Sequence, residues 1–183
     1  MNPNPARFDQ KKAESINGDH IRMLEPADFA ARIVPYLAEA GLVQPIPTPE
    51  QTALITASAP LVQERMQLLG EARGMLGFLF VDDVTYEDDA LKGLPANAGE
   101  VLVASVGALE LVAESEFTAA AVQDALATAL VEELGLKPRV AYGPPRVALT
   151  GRRVSPPLFE SMELLGKAET IRRLGALVTH LAA

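Results

Sequence analysis

The 183-residue chain has no cysteine and only two histidines, His20 and His180, at opposite ends. The first absence removes disulfides and thiolate metal sites, and it agrees with a reducing compartment. The second leaves too few imidazoles for a histidine-based zinc site and gives a Ser-His-Asp arrangement little support. No apolar run is long enough to span a bilayer, and neither end reads as a basic-then-apolar leader. Period-two alternation is almost absent, as are internal repeats, heptad arrays and low-complexity tracts. There is no glycine-rich phosphate loop of either common type and no nucleophile elbow.

The composition is 49% hydrophobic and 22% charged, which describes a globular chain able to bury a real core. Its apolar spacing is helical. Residues 1–12 are polar and interrupted by Pro3 and Pro5, so they read as a linker or the tail of a preceding element, with Met1 an artificial or processed start. A short helix is predicted over 17–24. A second opens at Pro26 and runs to Gly41, kinked at Pro35. Thr48-Pro49-Glu50-Gln51 forms a capping box ahead of a helix to about Ser58, and further helices are predicted from Pro60 and over 71–80. The acidic, Gly93- and Pro95-broken stretch 81–95 reads as a boundary between subdomains. Beyond it, helices are predicted over 96–113, from Thr118 to Gly135, over 156–165 and over 168–181, with 136–154 irregular because of its prolines. The expected fold is all-α, with two helical subdomains over 1–90 and 91–183.

Charge is polarised along the chain. The net charge is −8, yet eight basic residues and only three acids lie between Lys137 and Arg173. The span 81–133 holds twelve of the 24 acids and a single lysine, Lys92, so it carries most of the net negative charge outside that basic segment. Such a chain suits a polyanion at one end and repels it elsewhere. The densest basic segment is Arg146-Val147-Ala148-Leu149-Thr150-Gly151-Arg152-Arg153, followed by Ser155-Pro156-Pro157-Leu158-Phe159-Glu160. Ser155 as an N-cap and Pro156 at the first helical position would set arginines beside a helix N-terminus, whose free amides also attract anions. A capped helix beside a solvated basic loop accounts for the same residues equally well.

These two segments, with Leu164-Leu165-Gly166-Lys167, resemble the C-terminal signature of bacterial glutamyl-tRNA synthetase. The opening, Phe8-Asp9-Gln10-Lys11-Lys12 through Ile16-Asn17-Gly18-Asp19-His20-Ile21-Arg22, is similar to the junction between that enzyme's catalytic and anticodon-binding halves. Pro35-Tyr36-Leu37, Leu61-Val62-Gln63-Glu64-Arg65 and Phe117-Thr118 fall between them in the matching order. The likeness covers essentially the whole chain, and the composition suggests a high-GC bacterium.

The resemblance implies a cytoplasmic tRNA-binding region with tRNA(Glu) as partner. It leaves tRNA(Gln) open as a second one, and it implies neither membrane nor DNA. The family's two ATP- and glutamate-handling motifs, of the His-Ile-Gly-His and Lys-Met-Ser-Lys-Ser types, are missing. No cofactor is therefore expected in this chain, which alone should be inactive; ATP and Mg2+ belong to the full-length enzyme. By the resemblance, Arg65 senses the first anticodon base and Arg146 helps to read the third. Ser155, Pro156 and Leu158 line the surface under the second and third. An arginine that the family can place near Thr128 is unmatched. Arg152 and Arg153 have no base-reading counterpart, and their charge is read as contact with phosphate. Plainer accounts stand beside these: Arg65 as a surface charge, Leu158 as a core residue as well as a contact, and Lys167 as a helix-end charge. The rival reading of the whole chain is a helical protein–protein interaction module working through the acidic span 81–133.

Overall fold

Proline chemistry places many of the helix starts. The computed structural model describes residues 9–183; the Met1 start, the prolines of the predicted linker and Phe8 of the opening motif lie outside the described residues. Five described helices carry proline in their first turn, where the missing N–H has no intrahelical acceptor to lose and φ is already helical. The described residues form helices and connecting turns without a strand, so the all-α expectation holds. The chain divides into two compact units, Met1–Gly74 and Met75–Ala183.

In the first unit, α1 (Gln10–Arg22) is longer than the predicted 17–24 helix because Asp9 caps it, accepting from the Lys12 amide. α2 (Pro26–Glu39) continues through Pro35 and ends at Gly41, φ +71, with Leu42 N–H reaching back to Leu37 O at 3.0 Å. Phe29, Ile33 and Leu37 on its inner face are fully buried, and each contributes about 1.5–3 kcal/mol of transfer free energy. α3 (Pro49–Ser58) opens on the predicted capping box. Thr48 Oγ1 accepts from Gln51 N–H at 3.2 Å, and Gln51 Oε1 accepts from Thr48 N–H at 3.1 Å. α4 (Pro60–Gln63) stops after one turn, short of the helix expected there. The buried Gln63 amide then donates to Ile21 O at 2.9 Å and to Leu24 O at 2.8 Å, tying α4 to the end of α1. α5 (Ala72–Leu76), flanked by 3-10 turns, leads into the second unit.

The second unit contains α6 (Asp88–Lys92), α7 (Ala98–Glu110), α8 (Ala119–Leu126), α9 (Pro138–Ala141), α10 (Gly143–Thr150), α11 (Leu158–Leu165) and α12 (Lys167–Ala182). Its core draws Leu102 and Leu109 from α7, Leu126 from α8, Leu149 from α10, Met162 from α11 and Leu174 and Leu177 from α12. Thr118 caps α8, and a π-helical stretch, Ala127–Glu133, prolongs it towards Gly135, φ +64. Within the stretch 136–154, expected to be irregular, residues 138–150 are helical but for Tyr142, and only 136–137 and the bend at 151–154 stay outside a helix. Pro138, Pro144 and Pro145 lie in first turns, so they begin α9 and α10 instead of breaking them. Gly166, φ +77 and ψ 164, both ends α11 and starts α12.

The inward face of α12 carries polar as well as apolar residues. Thr170, Arg173, Leu174 and Leu177 are buried, and Leu181 is exposed. Arg173, only 3% exposed, donates through Nη1 to Phe78 O and Leu149 O, both at 2.9 Å, and through Nη2 to Val81 O at 2.7 Å. Its Nε pairs with Glu169 at 2.5 Å, and Glu169 also holds Arg172 at 2.7 Å. Arg172 in turn pairs with Asp83 at 3.0 Å. The acidic stretch 81–95 therefore belongs to the second unit, held there by two arginines of the last helix. The units part at Gly74.

Candidate nucleic-acid interface

α9 and α10 follow each other almost without a break and present Arg139, Tyr142 and Arg146 to one side. Arg146 is fixed by the segment after α10. Its Nη1 donates to Ser155 Oγ at 2.6 Å and to Pro156 O at 3.1 Å, while Ser155 Oγ itself donates to Pro156 O at 2.9 Å. This arrangement corrects the expected cap. Ser155 does not cap a helix; its hydroxyl serves Arg146, and α11 begins two residues later than expected, at Leu158. Ser155, at 5% exposure, and Leu158, at 4%, are buried, as is Pro156. They support Arg146 and the core from within.

Arg146 lines a cleft of about 880 Å³ together with Arg139 and Arg153. Asp89 supplies a carboxylate to the lining, and Tyr142 an aromatic ring. That ring meets Phe159 edge-on, with centroids 5.2 Å apart, and burial raises the Tyr142 phenol above its ordinary pKa, so it stays a neutral donor. The Arg153 guanidinium lies over Gly93, where an added Cβ would come within 3.2 Å of its Cζ. Guanidinium planes both stack on bases and donate to paired acceptors, and an aromatic wall adds a second stacking surface. Arg139 and Tyr142 were not among the predicted contacts. The available signal was the seven-residue spacing of Arg139, Arg146 and Arg153.

The other basic residues are placed differently. Arg152 Nε pairs with Glu87 Oε1 at 2.6 Å. Lys167 Nζ donates to Glu110 O at 2.9 Å and Val112 O at 2.6 Å, so its charge serves the C-terminal end of α7. Arg172 and Arg173 are committed to Glu169, Asp83 and backbone carbonyls, which makes the basic cluster smaller than a count along the sequence suggests. The Arg172 hydrogen bond, helped by Arg173, holds the Glu169 carboxyl down at about 2, against the opposing effect of burial. Arg65 lies in the first unit, exposed in the turn that follows α4 and not on a helix. Thr128 is exposed on the π-helical stretch. Among the described residues no group of three or more His, Asp or Glu side chains could hold a metal ion, and no helix is long and apolar enough to cross a membrane.

Residues 28–178 match the family described as the anticodon binding domain, and the chain belongs to that family. Curated relatives carry the name glutamate–tRNA ligase. One from Leifsonia xyli subsp. xyli is 67% identical over 95% of this chain and 36% of its own length. One from Clavibacter sepedonicus is 56% identical over 97% of this chain and 35% of its own length. The chain thus spans about a third of the length of these relatives. Its fold is that of the matching part of a glutamate tRNA ligase from Elizabethkingia meningosepticum, crystallised with its amino acid. The TM-score is 0.76 at 20% identity, over 95% of this chain and 33% of that one. The glutamate-tRNA synthetase of Elizabethkingia anophelis gives 0.72 at 20% identity, over 94% and 32%.

Proposed function

We propose that the chain is the anticodon-recognising part of a glutamate–tRNA ligase and that its cleft takes bases of the tRNA(Glu) anticodon. The observation that carries this reading is the set of three guanidiniums around one cleft beside a tyrosine ring, in a member of the anticodon binding domain family. Anticodon bases are unstacked and expose Watson–Crick edges, for which fixed guanidinium donors and stacking planes are the matching chemistry. Arg146, oriented by Ser155 and Pro156, reads a base edge; Arg139 and Tyr142 line the same space. Arg153 and Arg152 meet phosphate; Arg65, in the first unit, is read separately as sensing the first anticodon base. Leu158 supports this surface through the core. Glutamate activation, with ATP and Mg2+, is assigned to the two-thirds of such an enzyme that this chain does not span.

Electrophoretic binding to tRNA(Glu), to an anticodon-swapped version and to tRNA(Gln) tests the proposal. The chain should shift tRNA(Glu) and prefer it to the swapped form, and the tRNA(Gln) lane measures how far discrimination extends. Arg146→Ala should cost about 1–3 kcal/mol of tRNA(Glu) binding if the contact is bidentate. An unchanged affinity would remove Arg146 from the site. Absence of any shift by the intact chain would leave the helical protein-interaction reading in possession.

A further inference from the structure

The loop that carries Arg152 is gripped by residues 84–87. Gly151 sits at φ +73 with its α-carbon against Thr85, so close that an added Cβ would collide with the Thr85 carbonyl oxygen. Its own carbonyl accepts from Glu87 N–H at 2.9 Å. On top of this backbone clasp stands the ion pair between Glu87 and Arg152, with side chains 43% and 45% exposed. The clasp fixes the loop without the carboxylate. The ion pair is a separate, solvent-facing addition, and it neutralises a cation beside the three-arginine cleft.

We propose that Glu87 competes with RNA phosphate for Arg152 and so tempers the sequence-independent part of tRNA binding. The proposal rests on the tRNA-binding reading above and adds a residue that works against affinity. A phosphate that reaches Arg152 exchanges one ion pair for another, so the net gain is smaller than for an unoccupied guanidinium. Every polyanion meets the same handicap. Discrimination is then left to base contacts in the cleft, where charge alone does not suffice.

The test uses the 183-residue chain, tRNA(Glu) and its anticodon-swapped form in a salt series. Glu87→Gln keeps the backbone clasp and removes the charge. It should raise affinity for both tRNAs about 2–5-fold, the scale set by an exposed ion pair. It should also steepen the log–log salt dependence by up to about 0.7, the contribution of one fuller phosphate contact to a single strand. In an Arg152→Ala background the same substitution should give no gain. Weaker binding by Glu87→Gln would overturn the proposal, because Glu87 would then be orienting Arg152 for RNA. An equal gain with and without Arg152 would also overturn it, since the effect would belong to net charge. A second arm follows the Arg152 Nε–H resonance during titration with tripolyphosphate. The resonance should move at lower tripolyphosphate concentrations in Glu87→Gln than in the unaltered chain, and identical titrations would refute the competition. Should the intact chain fail to shift tRNA while this arm behaves as expected, the anticodon reading falls and the Glu87–Arg152 competition stands.

Discussion

Replacing Arg173 by methionine tests the least expected element of this fold. The substitution keeps an unbranched chain of similar reach inside the second unit and removes every donor. Three carbonyls, Phe78 O, Leu149 O and Val81 O, lose a charged partner at 2.7–2.9 Å. Glu169 loses the Nε contact at 2.5 Å and keeps Arg172. Breaking a buried ion pair from one side typically costs about 3–5 kcal/mol, and the surviving Arg172 contact argues for the lower half of that range. For a unit of this size about 3 kcal/mol corresponds to a fall in melting temperature of roughly 12–20 °C, readable by circular dichroism. Arg173→Lys should recover little, because one ammonium cannot serve carbonyls and a carboxylate arranged around a planar fork. The same cluster sets an acid limit. The folded pKa of Glu169, about 2, lies below its ordinary 4.5, so its stabilising contribution is complete above pH 4.5. It is lost as pH falls from there towards 2. Allowing for solvent screening of a partly exposed carboxylate, that contribution is about 1–2 kcal/mol. A loss below about 1 kcal/mol for Arg173→Met, or a melting temperature for Arg173→Lys equal to the parent's, would refute the reasoning.

Three further substitutions probe the backbone and a helix cap. Gly151→Ala combines a left-handed φ with a collision against the Thr85 carbonyl, and it should destabilise the second unit by more than about 2 kcal/mol in urea unfolding. Wild-type stability would mean that the 84–87 segment does not press on this loop. Thr48→Ala removes one half of the capping box and should cost about 1 kcal/mol in the first unit, while Gln51→Ala, losing the reciprocal bond, should cost less. An unchanged midpoint for Thr48→Ala would show that the box adds nothing to this helix.

What was legible from the sequence were devices that act within a few residues. Thr48 with Gln51, Thr118 ahead of α8, and the glycines at 41, 135 and 166 all mark the helix ends they were expected to mark. Prolines were harder to read, because one residue type either opens a helix or interrupts it. Pro144 and Pro145 open α10, and Pro35 sits inside α2 without ending it. The Ser155-Pro156 start failed because the hydroxyl that could have capped a helix is engaged by Arg146, nine residues upstream, and no local pattern reports that preference. Arg173 was invisible for a related reason. Its partners are mostly carbonyls on distant segments, which every residue possesses and no residue advertises. Counting charges along the chain therefore overstated the cationic surface, whereas the Arg146 segment identified by its density does line the cleft.

Gly166 has a bearing on how the molecule tolerates change. The whole connection between α11 and α12 is this one residue, in a backbone conformation open to almost nothing but glycine. A side-chain hydrogen bond crosses it, from Thr170 Oγ1 to Met162 O at 3.2 Å, while Thr170 N–H closes the first turn of α12 on Gly166 O at 3.0 Å. A pair of dihedral angles at position 166 thus aims sixteen residues, with the Arg173 clasp partway along them. An insertion at this joint would swing the sixteen-residue rod away from the segments it holds down.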